Sequence, residues 1–220
     1  KTNTNTVITT IAGMSDPQDL VVTPNGKFVY VANDNNSTVS VISTSTNTVV
    51  DVISKNPRSH SIDVTPDGQY VYVTEPRGGN NTVQKISTAT NTIAATISGF
   101  NDPSGLAISP DGKYVYVGDR WDSQIERINV STNVKTTIIT SVTGIWDVEI
   151  SPDNQYLYVT RAQYSPSLMV FDLATNTLVT QLDPGSYTRG AATFDDPLFG
   201  KLTISPSADT KNPEPEPTSF

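Results

Sequence analysis

The feature that most constrains this chain is a nine-residue segment that occurs four times. Each copy has Ser or Thr, then Pro, Asp or Asn, Gly or Asn, and a Tyr-Val-rich end; the copies are Thr23–Val31, Thr65–Val73, Ser109–Val117 and Ser151–Val159. Their prolines are 42, 44 and 42 residues apart. A second marker, Thr-Asn, keeps the same spacing at Asn5, Asn47, Asn91, Asn133 and Asn176. A near-constant period in this range indicates a repeat architecture.

Each repeat unit has the pattern of four β-strands. In the third unit, short runs of alternating apolar and polar residues occupy 105–109, 113–118, 124–130 and 134–140. Period-2 alternation in runs bounded by Gly, Pro and Asn is typical of strands. Helix signals are missing throughout the chain. Repeated four-stranded units of this length predict an all-β fold, a β-propeller of four-stranded antiparallel blades.

Two kinds of turn join the strands within a unit. The pairs Asn25-Gly26, Asp67-Gly68 and Asp111-Gly112 predict two-residue type I′ hairpins, which need positive φ at both central positions. The fourth copy has Asp153-Asn154, and Asn is the next-best residue for positive φ. The Ser-Thr-Asn turns are expected to join the third and fourth strands.

The repeat resembles a known family. The segments Phe28–Asn33, Tyr70–Glu75 and Tyr114–Asp119, together with Tyr72-Val-Thr and Tyr158-Val-Thr, are similar to the YVTN family of β-propeller repeats over about residues 1–185. The resemblance implies a surface-layer or cell-surface protein of archaea or bacteria. Related propellers include lactonases, antibiotic-inactivating lyases and redox subunits.

The two ends of the chain predict how the ring closes. Four full units cover about 18–53, 60–97, 104–140 and 146–182. Residues 190–205 resemble the first two strands of another unit, and residues 4–11 resemble an isolated outermost strand. We therefore predict five blades in a domain of residues 1–205, with the last blade closed by both termini, since a closed ring has no exposed edge. The alternatives are a fragment of a larger ring and a ring closed between chains.

Residues 206–220 contain four prolines and almost no apolar side chains. This composition predicts a semi-rigid, extended linker or tail. We expect it to act as a spacer to neighbouring domains or to a wall anchor.

Composition excludes several partners. The net charge is −8, the isoelectric point is near 4.5, and no basic run occurs, so a nucleic-acid partner is not expected. No apolar run approaches the roughly 20 residues of a transmembrane helix, so membrane insertion is not expected. The chain has no Cys, and its size predicts a core that buries roughly 70% of the unfolded surface without disulfides or metals.

The candidate binding residues cluster in one set of loops. In a propeller, the loops between blades and those from the second to the third strand emerge on one face, which we call the loop face. Arginine and large aromatic residues are frequent in binding hot spots, and Trp and Tyr can also stack on sugars. The candidates on the loop face are Arg58, His60, Arg77, Arg120, Trp121, Trp146, Arg161, Tyr164, Tyr187 and Arg189.

Alignment of the first strands places a chemically diverse column at the mouth of the central channel. The column comprises Gln18, His60, Ser104, Trp146 and Arg189. A ligand-lining ring would have such diversity, and so would a set of exposed strand starts under little constraint. Further along the same strands, Asp63 and Glu149 replace small or apolar residues. They are paired in the channel wall, partly solvated, or form a metal site, although two carboxylates are few ligands.

Signatures of catalysis are weak. The sequence has no Cys nucleophile, no Gly-x-Ser-x-Gly elbow and no Gly-rich phosphate loop. A single histidine, His60, excludes a metal centre built on several histidines, and no cofactor is expected. From the resemblance to the YVTN family, the Pro-Glu tail and the Arg and aromatic residues of the loops, we expect a non-enzymatic extracellular or cell-surface propeller that binds a protein or a glycan through its loop face. The alternatives are a lyase or lactonase that uses His60 with Asp63 or Glu149, and a structural subunit of a surface array.

Overall fold

The computed structural model of the chain describes residues 6–54, 58–76, 80–162, 164 and 166–183. The described residues form sixteen strands in four sheets and no helix. Blade 1 comprises β1 (Pro17–Val22), β2 (Phe28–Asn33), β3 (Thr38–Ser43) and β4 (Thr48–Ser54). Blade 2 comprises β5 (Ile62–Val64), β6 (Tyr70–Glu75), β7 (Thr82–Ser87) and β8 (Thr92–Ile97). Blade 3 comprises β9 (Pro103–Ile108), β10 (Tyr114–Asp119), β11 (Gln124–Asn129) and β12 (Lys135–Ile139). Blade 4 comprises β13 (Ile145–Ile150), β14 (Tyr156–Arg161), β15 (Leu168–Asp172) and β16 (Thr177–Leu182).

Each blade is an antiparallel meander whose strands follow chain order. First strands of successive blades contact one another in the order β1, β5, β9, β13. This arrangement confirms the predicted β-propeller architecture and its four full units. In the part of the chain described, no helix is long and apolar enough to cross a membrane.

The Tyr-Val segments form the packing layers between blades. Tyr72 packs towards blade 3, in a cluster with Leu106 and Val117. Val71 and Val73, its neighbours in the sequence, pack towards blade 1. Successive side chains point to opposite faces of a strand, so one Tyr-Val-Tyr-Val segment supplies both neighbouring interfaces.

The two repeat markers also contact each other across blades. The Tyr30 hydroxyl donates a hydrogen bond to Asn91 Oδ1 at 2.7 Å, and Asn91 Nδ2 donates to Asp51 Oδ2 at 2.9 Å. Tyr30 lies in the Tyr-Val segment of blade 1, whereas Asn91 lies in the Thr-Asn turn of blade 2. The repeated segments are therefore scaffold.

The Pro-Asp-Gly hairpins differ from the type I′ turns predicted. Gly26, Gly68 and Gly112 have positive φ, but Asn25, Asp67 and Asp111 do not. Proline fixes its own φ near −65°, which suits the second position of a type I turn. The glycine two residues after the proline then takes the left-handed conformation. The side chain before the glycine accepts hydrogen bonds within the turn, as Asp67 does from Thr65 Oγ1 and Gln69 N.

The other predicted turns are confirmed. Asn154 replaces the glycine in the fourth hairpin and has positive φ. The Thr-Asn turns join the third and fourth strands of each blade, and their asparagines all have positive φ: Asn47, Asn91, Asn133 and Asn176.

The fifth blade remains a prediction. Residues 184–220, which include its proposed segment 190–205 and the predicted linker 206–220, lie outside the described residues. Residues 6–11 form no strand, whereas the sequence pattern predicted an outer strand at 4–11; a strand requires a hydrogen-bonded partner, and no described strand pairs with this segment. Blade 1 exposes Leu20 and Val22, at 58% and 48%, on the side of β1 away from blade 2.

Candidate functional site on the loop face

A cavity of about 230 Å³ lies on the loop face. Its walls come from strand starts and from the loops that follow second strands, on blades 1 to 4. The lining residues are Gln18, Asp34, Arg58, Ser59, His60, Pro76, Asp102, Ser104, Arg120 and Trp146. The four described members of the predicted column, Gln18, His60, Ser104 and Trp146, thus all lie in one cavity.

His60 contacts other lining residues of the cavity. Its ring meets the ring of Trp146 edge to face, with centroids 5.2 Å apart. Burial lowers the pKa of His60 below its ordinary value of 6.5, although a hydrogen bond to the Ser104 backbone and the charge of Asp19 oppose the shift. The imidazole is therefore neutral at pH 7, with one donor nitrogen and one acceptor nitrogen.

Arg120 is held against Trp146 by an ion pair. Its Nε lies 3.6 Å from Asp102 Oδ2, and the Asp102 side chain is 1% exposed. The Arg120 guanidinium carbon lies 5.6 Å from the centroid of the Trp146 ring, a cation–π contact. These contacts fix the orientation of a cation and an aromatic ring in the cavity wall.

Three buried polar atoms in the cavity wall have no hydrogen-bond partner among the described residues. They are Asp34 Oδ1, Ser59 Oγ and His60 Nδ1. Ser59 as a whole is 1% exposed. Buried polar groups are normally paired, and leaving one unpaired costs about 1–3 kcal/mol. Several such atoms in one cavity are the expected arrangement of a site that a polar ligand completes.

The carboxylates of the first strands serve the scaffold. Asp19 Oδ2 accepts a hydrogen bond from Ile62 N at 3.0 Å, and Asp63 Oδ2 accepts one from Ile108 N at 2.8 Å. Each bond joins one blade to the next. Burial raises the pKa of Asp63 to about 6 despite these hydrogen bonds.

These bonds assign a structural role to Asp63, one member of the predicted acidic pair Asp63 and Glu149. Asp63 is committed to backbone donors and does not line the cavity, and Glu149 does not line it either. Among the described residues, no group of three or more His, Asp or Glu side chains could hold a metal ion. Asp63 is thus a structural link between blades 2 and 3.

The remaining described candidates lie outside the cavity. Trp121 is 60% exposed on the loop that follows β10. Arg161 is buried and donates through Nε to Thr143 O at 2.7 Å. Its guanidinium carbon lies 5.2 Å from the centroid of the Tyr164 ring, so this pair supports the loops of blade 4. Arg77, Tyr187 and Arg189 lie outside the described residues.

The sequence pattern missed four lining residues. Asp34, Ser59, Pro76 and Asp102 line the cavity, yet two acidic, one small and one apolar loop residue carried no signal of a binding hot spot. Asp102 has positive φ, which is uncommon for a residue other than Gly, but φ cannot be read from an unaligned sequence. Ser59 had one available signal, its position beside the only histidine.

Comparisons with known proteins place the chain among β-propellers. The model of a family described as "Lactonase, 7-bladed beta-propeller" matches residues 74–185. No curated protein matches the chain. Among solved structures, a chain of hydrazine synthase from Kuenenia stuttgartiensis is similar, with a TM-score of 0.75 and 25% sequence identity. The alignment covers 83% of this chain and 54% of that one, so the present chain spans about half the length of the chain that it matches.

Proposed function

This chain belongs to the β-propeller family described as seven-bladed lactonases, and from that premise we propose a non-enzymatic role in binding. The chain is an extracellular or cell-surface protein of a prokaryote, and its loop face binds a protein or a glycan. The observation that carries the proposal is the cavity, whose wall brings together different side chains from equivalent positions of successive blades. A scaffold alone would favour similar residues there, as the Tyr-Val segments show.

The distribution of charged and aromatic residues supports the same face. Trp121 stands exposed beside the cavity-lining Arg120, where a large partner would reach it. The opposite face carries the Pro-Asp-Gly and Thr-Asn turns, whose side chains are engaged in turn hydrogen bonds such as Ser109 Oγ to Asp111 Oδ1 at 2.7 Å. The loop face is therefore the surface whose side chains are available for recognition.

A glycan array that displays peptidoglycan fragments, neutral hexoses and N-acetylhexosamines tests the proposal. We expect the full chain to bind, Trp121→Ala to weaken the binding, and Lys113→Ala on the opposite face to leave it unchanged. Lys113 is a suitable control because its side chain is 69% exposed and its ion pair to Asp111 also lies at the surface. Equal loss in both variants would contradict a role for the loop face.

Hydrolysis of a lactone is the second candidate function, favoured by the family match. Neutral His60 could accept a proton from water as the water oxygen attacks the lactone carbonyl, and Arg120 could stabilise the oxyanion. The ring C–O bond would then break, and the released alkoxide would take up the proton. The match begins at Thr74, however, so the similarity does not extend to His60.

Lactone hydrolysis, read together with array binding, distinguishes the two candidate functions. The full chain is incubated with δ-valerolactone and γ-butyrolactone, and acid release is followed in a pH-stat. Hydrolysis above the buffer rate that is lost in His60→Ala would support an enzyme. Absence of hydrolysis, together with array binding that His60→Ala retains or weakens, is the result that the binding role predicts.

A further inference from the structure

The unpartnered atoms of the cavity wall indicate the chemistry of its ligand. We propose that the cavity is a subsite for one neutral, polyhydroxylated ring, the terminal sugar of a glycan. This proposal rests on the proposed binding function and narrows it.

The hydrogen-bonding capacity of the three atoms favours hydroxyl groups. Asp34 Oδ1 is a carboxylate oxygen, so it accepts hydrogen bonds and donates none. Ser59 Oγ can donate and accept. The other ring nitrogen of His60 donates to the Ser104 backbone, so Nδ1 of the neutral ring is an acceptor. A hydroxyl group both donates and accepts, so it satisfies all three atoms.

Charged ligands fit the same wall less well. A carboxylate offers only acceptors, which would face the acceptor of Asp34. An ammonium group offers only donors and would meet the guanidinium groups of Arg58 and Arg120. The two arginines and the two lining aspartates, Asp34 and Asp102, balance in formal charge, which suits a neutral ligand.

The position and size of the groups agree with a ring. Asp34 follows the second strand of blade 1, whereas Ser59 and His60 precede the first strand of blade 2, so the atoms come from two blades. The cavity of about 230 Å³ is smaller than the roughly 300–1,000 Å³ of sites for drug-sized ligands. It therefore suits a single sugar residue, with the rest of a glycan directed across the loop face towards Trp121.

Ser59→Ala separates this role from a structural one. The Ser59 hydroxyl has no partner among the described residues, so its removal should leave the fold as stable as before or slightly more stable. Thr160→Val is the matched control, because Thr160 Oγ1 is also buried and without a described partner but does not line the cavity. Asp34→Ala is a second variant, which removes the obligate acceptor.

The experiment is a titration by saturation-transfer-difference NMR with methyl glucoside, methyl galactoside and methyl N-acetylglucosaminide. We expect at least one glycoside to bind the full chain. Loss of one hydrogen bond should weaken it about 5- to 10-fold in Ser59→Ala, and Asp34→Ala should weaken it at least as much. Thr160→Val should bind as the unchanged chain does.

Three outcomes would overturn the proposal. They are absence of binding by all three glycosides, equal affinity in Ser59→Ala and the unchanged chain, and displacement of the glycoside by equimolar methylammonium or acetate. The proposed binding function would survive them if the array still shows binding that depends on Trp121. It would fail together with the sugar subsite if the array is also silent.

Discussion

Substitution of Gly105 by Ala tests how closely the blades pack beneath the cavity. Gly105 lies in β9 next to the cavity-lining Ser104, and its backbone approaches β13 of blade 4. A Cβ atom built at this position would collide with the Asp147 Cα, lie 2.5 Å from Asp147 Oδ1 and lie 2.7 Å from Val148 N. Ordinary contacts of a Cβ atom begin near 3.4 Å. Strands β9 and β13 would therefore have to separate by about 0.7 Å or more, because backbone atoms cannot rotate away.

The expected loss follows from that separation. A gap of about 0.5–1 Å forfeits a quarter to a half of the dispersion energy of each affected contact. The interface concerned includes Leu106 on β9 and Val148 on β13, which are 4% and 1% exposed. Overpacking of this kind costs about 1–3 kcal/mol or more, whereas Gly to Ala in an unobstructed strand gains about 0.5–1 kcal/mol. We expect Gly105→Ala to lower the free energy of unfolding by about 2 kcal/mol.

Urea unfolding followed by tryptophan fluorescence measures this change. Gly13→Ala is the control, since Gly13 has positive φ and open space around its Cβ position, so it reports backbone strain alone. The control should cost no more than about 1–2 kcal/mol. A Gly105→Ala protein as stable as the unchanged chain, or more stable, would refute the close approach of blades 3 and 4.

Three further predictions concern the scaffold. Burial raises the pKa of Asp63 and of Asp119 to about 6 from 3.8, so the stability that these carboxyls contribute is full below pH 3.8 and is lost as the pH rises through 6. The free energy of unfolding should therefore increase by about 1 kcal/mol per carboxyl from pH 7 to pH 5. A lower urea midpoint at pH 5 would contradict this. Lys85→Met should lose about 1–3 kcal/mol, because Lys85 Nζ donates to Val130 O at 2.7 Å across blades and its removal leaves that carbonyl unpaired; an unchanged melting temperature would exclude the bond. Asn176→Ala should cost about 1–2 kcal/mol and Asn176→Gly much less, since Asn176 has a φ of 57°; equal melting temperatures would count against a left-handed residue in this turn.

Periodicity predicted the scaffold because it recurs in every unit. The Tyr-Val segments, the Thr-Asn turns and the order of strands all follow from alternation and turn chemistry, which act over a few residues. The type I′ hairpins were predicted wrongly because the proline before each Asp-Gly pair outweighs the preference of that pair. The turn preference of the Asp-Gly pair failed as a predictor because the neighbouring proline has a stronger conformational preference.

The site was predicted only in part because it depends on which loops meet. Alignment of the first strands brought together Gln18, His60, Ser104 and Trp146, and the structure places all four in the cavity. Arg161 was predicted from the sequence as a binding residue, but its guanidinium donates hydrogen bonds to Thr143 and makes a cation–π contact with Tyr164. Contacts between loops of different blades have no periodic signal, so residue type alone could not separate these cases.

Fluorine NMR of the two tryptophans tests the central claim most directly. The chain has only Trp121 and Trp146, so labelling with 5-fluorotryptophan gives two lines, which Trp121→Phe assigns. Methyl glucoside and methyl N-acetylglucosaminide are then titrated into the full chain. We expect the Trp146 line to shift with saturation and the Trp121 line to move less. Saturable binding that leaves the Trp146 line unchanged would place the site elsewhere and contradict the assignment of the loop-face cavity.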